Sequence, residues 1–163
     1  MKKVILICFL FCFGFSKAQN MSVQPNFGFN LWNLSFFGES ELLTYMEAGA
    51  TYEYGFSDNL GVSAGASYNF SEDLDGGFTE ITIGARYNLN KLNDGFFAGA
   101  CYGYGFLEGA NFMEFGVNAG YSIPLGPGSL NPNIGVGYAS YGVDGFRFGG
   151  FHIPINVSYS IMF

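Results

Sequence analysis

Between Phe151 and Phe163 every second residue is apolar: Phe151, Ile153, Ile155, Val157, Tyr159, Ile161 and Phe163. The residues between them, His152, Pro154, Asn156, Ser158, Ser160 and Met162, are mostly polar. A period of two gives a β-strand one apolar and one polar face; a helix would scatter the same residues around its surface. The pattern recurs. Leu60, Val62, Ala64, Ala66, Tyr68 and Phe70 alternate with Gly61, Ser63, Gly65, Ser67 and Asn69. Ile81, Ile83, Ala85, Tyr87 and Leu89 alternate with Glu80, Thr82, Gly84, Arg86 and Asn88, and Met113 to Tyr121 does the same. Eight strands are predicted, near 22–34, 42–56, 60–70, 78–89, 96–106, 112–123, 132–141 and 151–163. Turn residues separate them at Ser57-Asp58-Asn59, Asp75-Gly76-Gly77, Asn93-Asp94-Gly95 and Pro124 to Pro132. No helical periodicity competes, and no second domain is expected.

The N-terminus obeys a different rule. Lys2 and Lys3 precede an apolar stretch from Val4 to Phe15, and Ser16-Lys17-Ala18 offers small residues where a signal peptidase reads. Residues 1–18 are therefore expected to be an export signal and residues 19–163 the barrel domain. Cys8 and Cys12 fall inside the leader behind bulky Ile7 and Phe11, which argues against lipidation. Cys101 alone remains, so no internal disulfide is expected.

Composition decides which face is wet. Without the leader, Arg86, Lys91 and Arg147 stand against 13 acidic residues, a net charge of -10. Such a chain is unsuited to nucleic acid, whose phosphates demand Lys and Arg. A soluble eight-stranded barrel would turn its apolar set inward and carry many lysines outside. Here the polar set is Gly, Ser, Asn and Thr with isolated Glu and Arg, which suits a narrow, packed lumen. The apolar set is Val, Ile, Leu and Ala at mid-strand. Aromatics crowd the strand ends at Tyr54, Phe56, Tyr68, Phe70, Tyr87, Phe96, Tyr104, Phe106 and Tyr121. Aromatic girdles of this kind mark a lipid-embedded barrel. The expected fold is all-β, an eight-stranded antiparallel up-and-down transmembrane β-barrel.

The last strand, ending in Tyr159, Ile161 and Phe163, resembles the C-terminal barrel-assembly signal of bacterial outer-membrane β-barrel proteins. With the export leader and eight strands, the chain resembles the small OmpX and OmpA-transmembrane-domain type. That resemblance implies a location in the outer membrane among its lipids and lipopolysaccharide. It also implies recognition of the C-terminal strand by the barrel-assembly machinery, both termini in the periplasm, and a monomer. Outward loops are then Ser35–Glu41, Ser71–Gly77, Leu107–Asn111 and Gly142–Gly150, short for a surface adhesin.

Four features could carry chemistry. Lumen-facing Glu47, Glu53, Glu80, Arg86 and Glu114 form a charge cluster, read as an interior ion-pair plug or else as a thin acidic path for cations. Buried carboxylates are costly unless paired or hydrated, and the lumen glycines, among them Gly103 and Gly137, leave room for water. His152 stands at the lumen mouth with no serine or aspartate partner in its spacing, so no catalytic residue is assigned and the chain is not expected to be an enzyme. Pro154 is expected to make a tolerated bulge or local break in pairing, the kind of gap that in some barrels admits lipid sideways. Glu72, Asp73 and Asp75 form an acidic outer rim without calcium-loop spacing, so no metal or cofactor is expected. Glycines 99 to 105 come at period two, as the lumen face of a strand and not a phosphate cradle. The expected function is structural or surface-facing. The alternatives are a minor pore for small cations or water, and a lipid-A-modifying or hydrophobic-ligand barrel.

Overall fold

The computed structural model describes residues 21–36, 39–71, 76–107, 110–143 and 146–163, with side chains undescribed at 34–36, 39–41, 76, 107, 110, 143 and 146–148. Eight strands follow one another: β1 Met21–Phe36, β2 Glu39–Gly55, β3 Leu60–Ser71, β4 Gly76–Asn88, β5 Gly95–Leu107, β6 Ala110–Leu125, β7 Gly128–Val143 and β8 Phe146–Met162. Each pairs antiparallel with its neighbours, and β8 closes on β1 to complete the barrel. Closure removes every free edge, which a lipid-facing sheet requires. No helix among the described residues is long and apolar enough to cross a membrane.

Alternation sets the wall. In β3, Ser67 and Asn69 are buried while Ala64, Ala66, Tyr68 and Phe70 are exposed. In β8, Phe151, Ile153, Ile155, Val157 and Ile161 face outward and His152, Ser158 and Ser160 are buried. The exterior is apolar and the interior largely polar, inverted relative to a soluble barrel.

The strands run further than their sequence signals. β1 and β2 pair as far as Phe36↔Glu39, β5 and β6 as far as Leu107↔Ala110, and β7 and β8 as far as Val143↔Phe146. Most of Ser35–Glu41, Leu107–Asn111 and Gly142–Gly150 is therefore strand, not loop. The Pro124 to Pro132 turn is corrected likewise, since Pro124 pairs with Ser129 and only Gly126 and Pro127 make the turn. Glycine and polar residues have the composition of turns, but neighbouring antiparallel strands satisfy their backbone groups and carry the pairing through them toward the hairpin tips.

Prolines act locally. β7 and β8 pair up to Ile134↔Ile155 and resume at Gly137↔His152 in the same register, so Gly135 and Val136 have no partner across from Pro154 and Ile153. Pro154 thus makes a break without a bulge, because no residue is inserted. On its other side it pairs with Asn30. Pro132 coincides with a similar interruption between β6 and β7, and Pro25 with one between β8 and β1. The β2 to β5 seams have no such gap.

Candidate functional site: the barrel lumen

Met21 and Phe163, the first and last described residues, lie at one end of the barrel, called here the terminal end, where the Phe163 N–H donates to the Met21 carbonyl at 2.9 Å. At the opposite, distal end the lumen fills with aromatic rings. Trp32 from β1 is 1% exposed, and its ring lies 5.3 Å from Tyr45 of β2 and 4.7 Å from Tyr141 of β7, edge-on or tilted. Phe78 of β4 stands 4.8 Å from Phe112 of β6, and Tyr45 bridges back to Phe78 at 5.6 Å. Five strands therefore contribute rings to one buried cluster. Offset and edge-on pairs of this kind add about 0.5–1.5 kcal/mol each beyond area burial. All five occupy the polar parity of their strands, where alternation calls for small or hydrophilic residues. That breach of pattern was the available signal, and a reading that sorted each strand into two clean faces passes over it.

Below the rings lie the carboxylates. Glu47 accepts from Asn26 Nδ2 at 2.7 Å and from Asn30 Nδ2 at 3.5 Å. Glu80 accepts from Asn69 Nδ2 at 3.4 Å through Oε2, while its Oε1 has no hydrogen-bond partner among the described residues. Glu114 Oε1 lies 3.3 Å from His152 Nε2. His152 is 1% exposed, packs edge-on near Trp32 at 6.2 Å, and neither ring nitrogen makes a hydrogen bond among the described residues. No serine hydroxyl lies within hydrogen-bond reach of it among those residues.

Two glycines make this packing possible. A Cβ on Gly103 would collide with Glu80 Oε1, and one on Gly137 would collide with the His152 ring. The room expected for water at these two positions is taken by neighbouring side chains, because a large residue on one strand fills the hollow over a glycine on the next.

The terminal end is closed by a different device. Arg86 Nη2 donates to Glu53 Oε1 and to Asn93 Oδ1, each at 2.7 Å, and its guanidinium sits 5.0 Å over the Phe97 ring. Asn93 and Leu92 belong to the β4–β5 turn, and both are buried. Asn93 adopts φ 63°, which turns the chain inward. The Leu92 N–H donates to the Asp58 carbonyl at 2.5 Å, and Asn59 Nδ2 donates to the carbonyls of Asn88 and Asn90. A turn expected only to link two strands is thus folded under the barrel mouth. Turn composition signals a change of direction, not which way the turn leans. Beside it, Asn131 Nδ2 donates to Ser160 Oγ at 2.8 Å in a layer of buried serines that includes Ser22, Ser122 and Ser129.

Between the two closures lies a cavity of about 180 Å³, lined by Asn26, Glu47, Glu80, Arg86, Glu114 and Pro154 among others. The five charged residues singled out in sequence therefore line or border one space, although Glu53 and Arg86 pair at its terminal side. Among the described residues, no group of three or more His, Cys, Asp or Glu could hold a metal ion. Glu72, Asp73 and Asp75 lie outside the described residues, as do residues 1–18, the segment expected to be an export signal. Tyr159 donates from its hydroxyl to the Leu125 carbonyl at 2.8 Å, and Ile161 faces outward beside an exposed Phe163.

No protein-family profile matches the chain, and no curated protein does either. Solved structures do match. The chain is similar to Neisserial surface protein A, with a TM-score of 0.61 and 15% identity over 88% of this chain and 97% of that one. It is similar to Ail, the attachment invasion locus protein of Yersinia pestis solved with the heparin analogue sucrose octasulfate, with a TM-score of 0.50 and 15% identity over 86% and 98% of the two chains. A de novo designed transmembrane β-barrel matches with a TM-score of 0.50 and 17% identity over 89% of this chain and 98% of that one. At these identities the likeness is one of fold, an eight-stranded transmembrane barrel.

Proposed function

The fold is that of the small OmpX and OmpA-transmembrane-domain type of barrel, and from that premise we propose that the chain is an integral outer-membrane protein with a structural or surface-facing role. Its lumen is a plug and not a passage. One observation carries this reading: the lumen is filled at both ends, by the Trp32, Tyr45, Phe78, Phe112 and Tyr141 rings at one and by Arg86, Glu53, Asn93 and Leu92 at the other. Eight strands leave an interior that side chains can fill. The terminal end faces the periplasm, and Glu72, Asp73 and Asp75 form an acidic rim outside that meets lipopolysaccharide phosphates through divalent ions. The polyanion bound by Ail is not a ligand class for this chain, whose sequence after the leader has only three basic residues.

The folded protein in planar bilayers tests the proposal. The expected record shows no discrete conductance steps. Steady cation-selective steps that disappear in Glu80→Gln would overturn the plug and establish the pore in its place. On denaturing gels, the outer-membrane fraction should contain a band whose mobility changes on boiling; a soluble band without that change would remove the membrane location itself.

A further inference from the structure

Glu114 and His152 meet inside the lumen with no third group to settle their charge. Glu114 Oε1 lies 3.3 Å from His152 Nε2, and His152 is 1% exposed with no hydrogen-bond partner at either ring nitrogen among the described residues. The ring is wedged in place. It fills the hollow over Gly137, its cross-strand neighbour on β7, and lies edge-on to Trp32, its neighbour on β1. The titratable groups within electrostatic reach of Glu114 are Glu47, Glu80, Tyr45, Cys101 and Tyr141, and none of them is a cation. Arg86 is committed to Glu53 and Asn93. An imidazole nitrogen and a carboxyl oxygen that face each other so closely need one hydrogen between them. An imidazolium beside a carboxylate would supply it, but would also bury a charged Nδ1–H that has no acceptor. A carboxylic acid donating to a neutral imidazole supplies it and buries no charge.

We propose that Glu114 and His152 form a buried proton switch beneath the aromatic cap, and that Trp32 carries its state to the other rings. In the protonated state the Glu114 O–H donates to Nε2, and the imidazole holds its hydrogen on Nδ1. In the deprotonated state the Glu114 carboxylate accepts from Nε2–H, so the imidazole becomes the other tautomer. Which nitrogen holds the hydrogen is set by what the carboxyl offers. The carboxyl proton leaves to water in the cavity that Glu114 lines, which is large enough to hold it. The imidazole hydrogen passes from Nδ1 to Nε2 by release and uptake through water, so the pair loses one proton in all. Raising the pH thus puts a carboxylate among Glu47 and Glu80 and reverses the donor in the contact beside Trp32. The inference goes beyond the structural reading above and stands whether or not the lumen conducts.

His152 is the only histidine and Trp32 the only tryptophan in the chain, so each gives one unambiguous signal. Untagged protein labelled with nitrogen-15 histidine is refolded into detergent micelles, and folding is checked by the boiling-dependent gel shift. The two ring nitrogens are then followed by NMR from neutral to alkaline pH. The expected result is the Nδ1–H tautomer at neutral pH, replaced in one step by the Nε2–H tautomer, with Trp32 emission shifting at the same midpoint. Glu114→Gln has no carboxyl proton to lose and should hold one tautomer throughout, while Glu80→Gln should keep the step. An imidazolium at neutral pH, a single wild-type tautomer over the whole range, or a step that persists in Glu114→Gln overturns the switch. A tautomer step with unchanged emission overturns its link to the cap.

Discussion

The distal end of the lumen is closed by rings that need nothing from one another except contact. At the terminal end, closure depends on Arg86 holding Glu53 on one strand and Asn93 on a turn, each at 2.7 Å. The first closure is packing, spread over five strands. The second is a charged latch in which each member is costly without the other. A packed cap fails in proportion to what is removed, whereas a latch fails when one half is removed and recovers when both halves go.

The largest expected effect tests the cap. Trp32→Ala removes the ring on which the cluster converges and should lower unfolding free energy by about 3–5 kcal/mol, read from urea unfolding in lipid vesicles. Adding Phe112→Ala should deepen the loss; a double variant no worse than the single one would show that the rings do not act as a packed unit. The latch should respond in the opposite sense. Arg86→Met strands Glu53 in a buried site and should cost about 3 kcal/mol. Arg86→Met combined with Glu53→Leu should recover most of that loss, and if it does not, the terminal end is held by packing too. The smallest effect concerns the layer between. Gly137→Ala forces a methyl against the His152 ring and should cost about 1–3 kcal/mol. The same substitution in a His152→Ala background should cost little, and an equal cost in both would mean that His152 is not what fills that hollow.

The same contrast governs what the sequence could tell. The wall was legible, because lipid on one side and a crowded lumen on the other force a strict period of two, and Ile81, Ile83 and Ala85 obey it. The lumen charges were legible for the same reason: Glu80 and Arg86 interrupt a row of small residues. What closes the lumen was not read. Trp32, Tyr45 and Phe112 carry the residue type of one face at positions of the other, and only their convergence across the barrel gives that departure a meaning. Leu92 and Asn93 were further out of reach, since their burial depends on Asn59 drawing the turn inward, a long-range contact with no local pattern. Strand ends were not legible because the glycines and prolines near them have the composition of turns, whereas pairing at Leu107↔Ala110 and Val143↔Phe146 runs on.

The interrupted ladders beside Pro25, Pro132 and Pro154 have a mechanical meaning. A barrel in a bilayer is an elastic ring under lateral pressure, and its stiffness against shear comes from hydrogen bonds between staves. Those missing at the three prolines all lie on the arc from β6 through β8 to β1, while the arc from β2 to β5 is bonded without interruption. The ladder is therefore notched on one side and continuous on the other. Each notch leaves backbone groups of the neighbouring strand without a cross-strand partner, so the wall is weakest to local opening at these three places and not along the β2 to β5 seams.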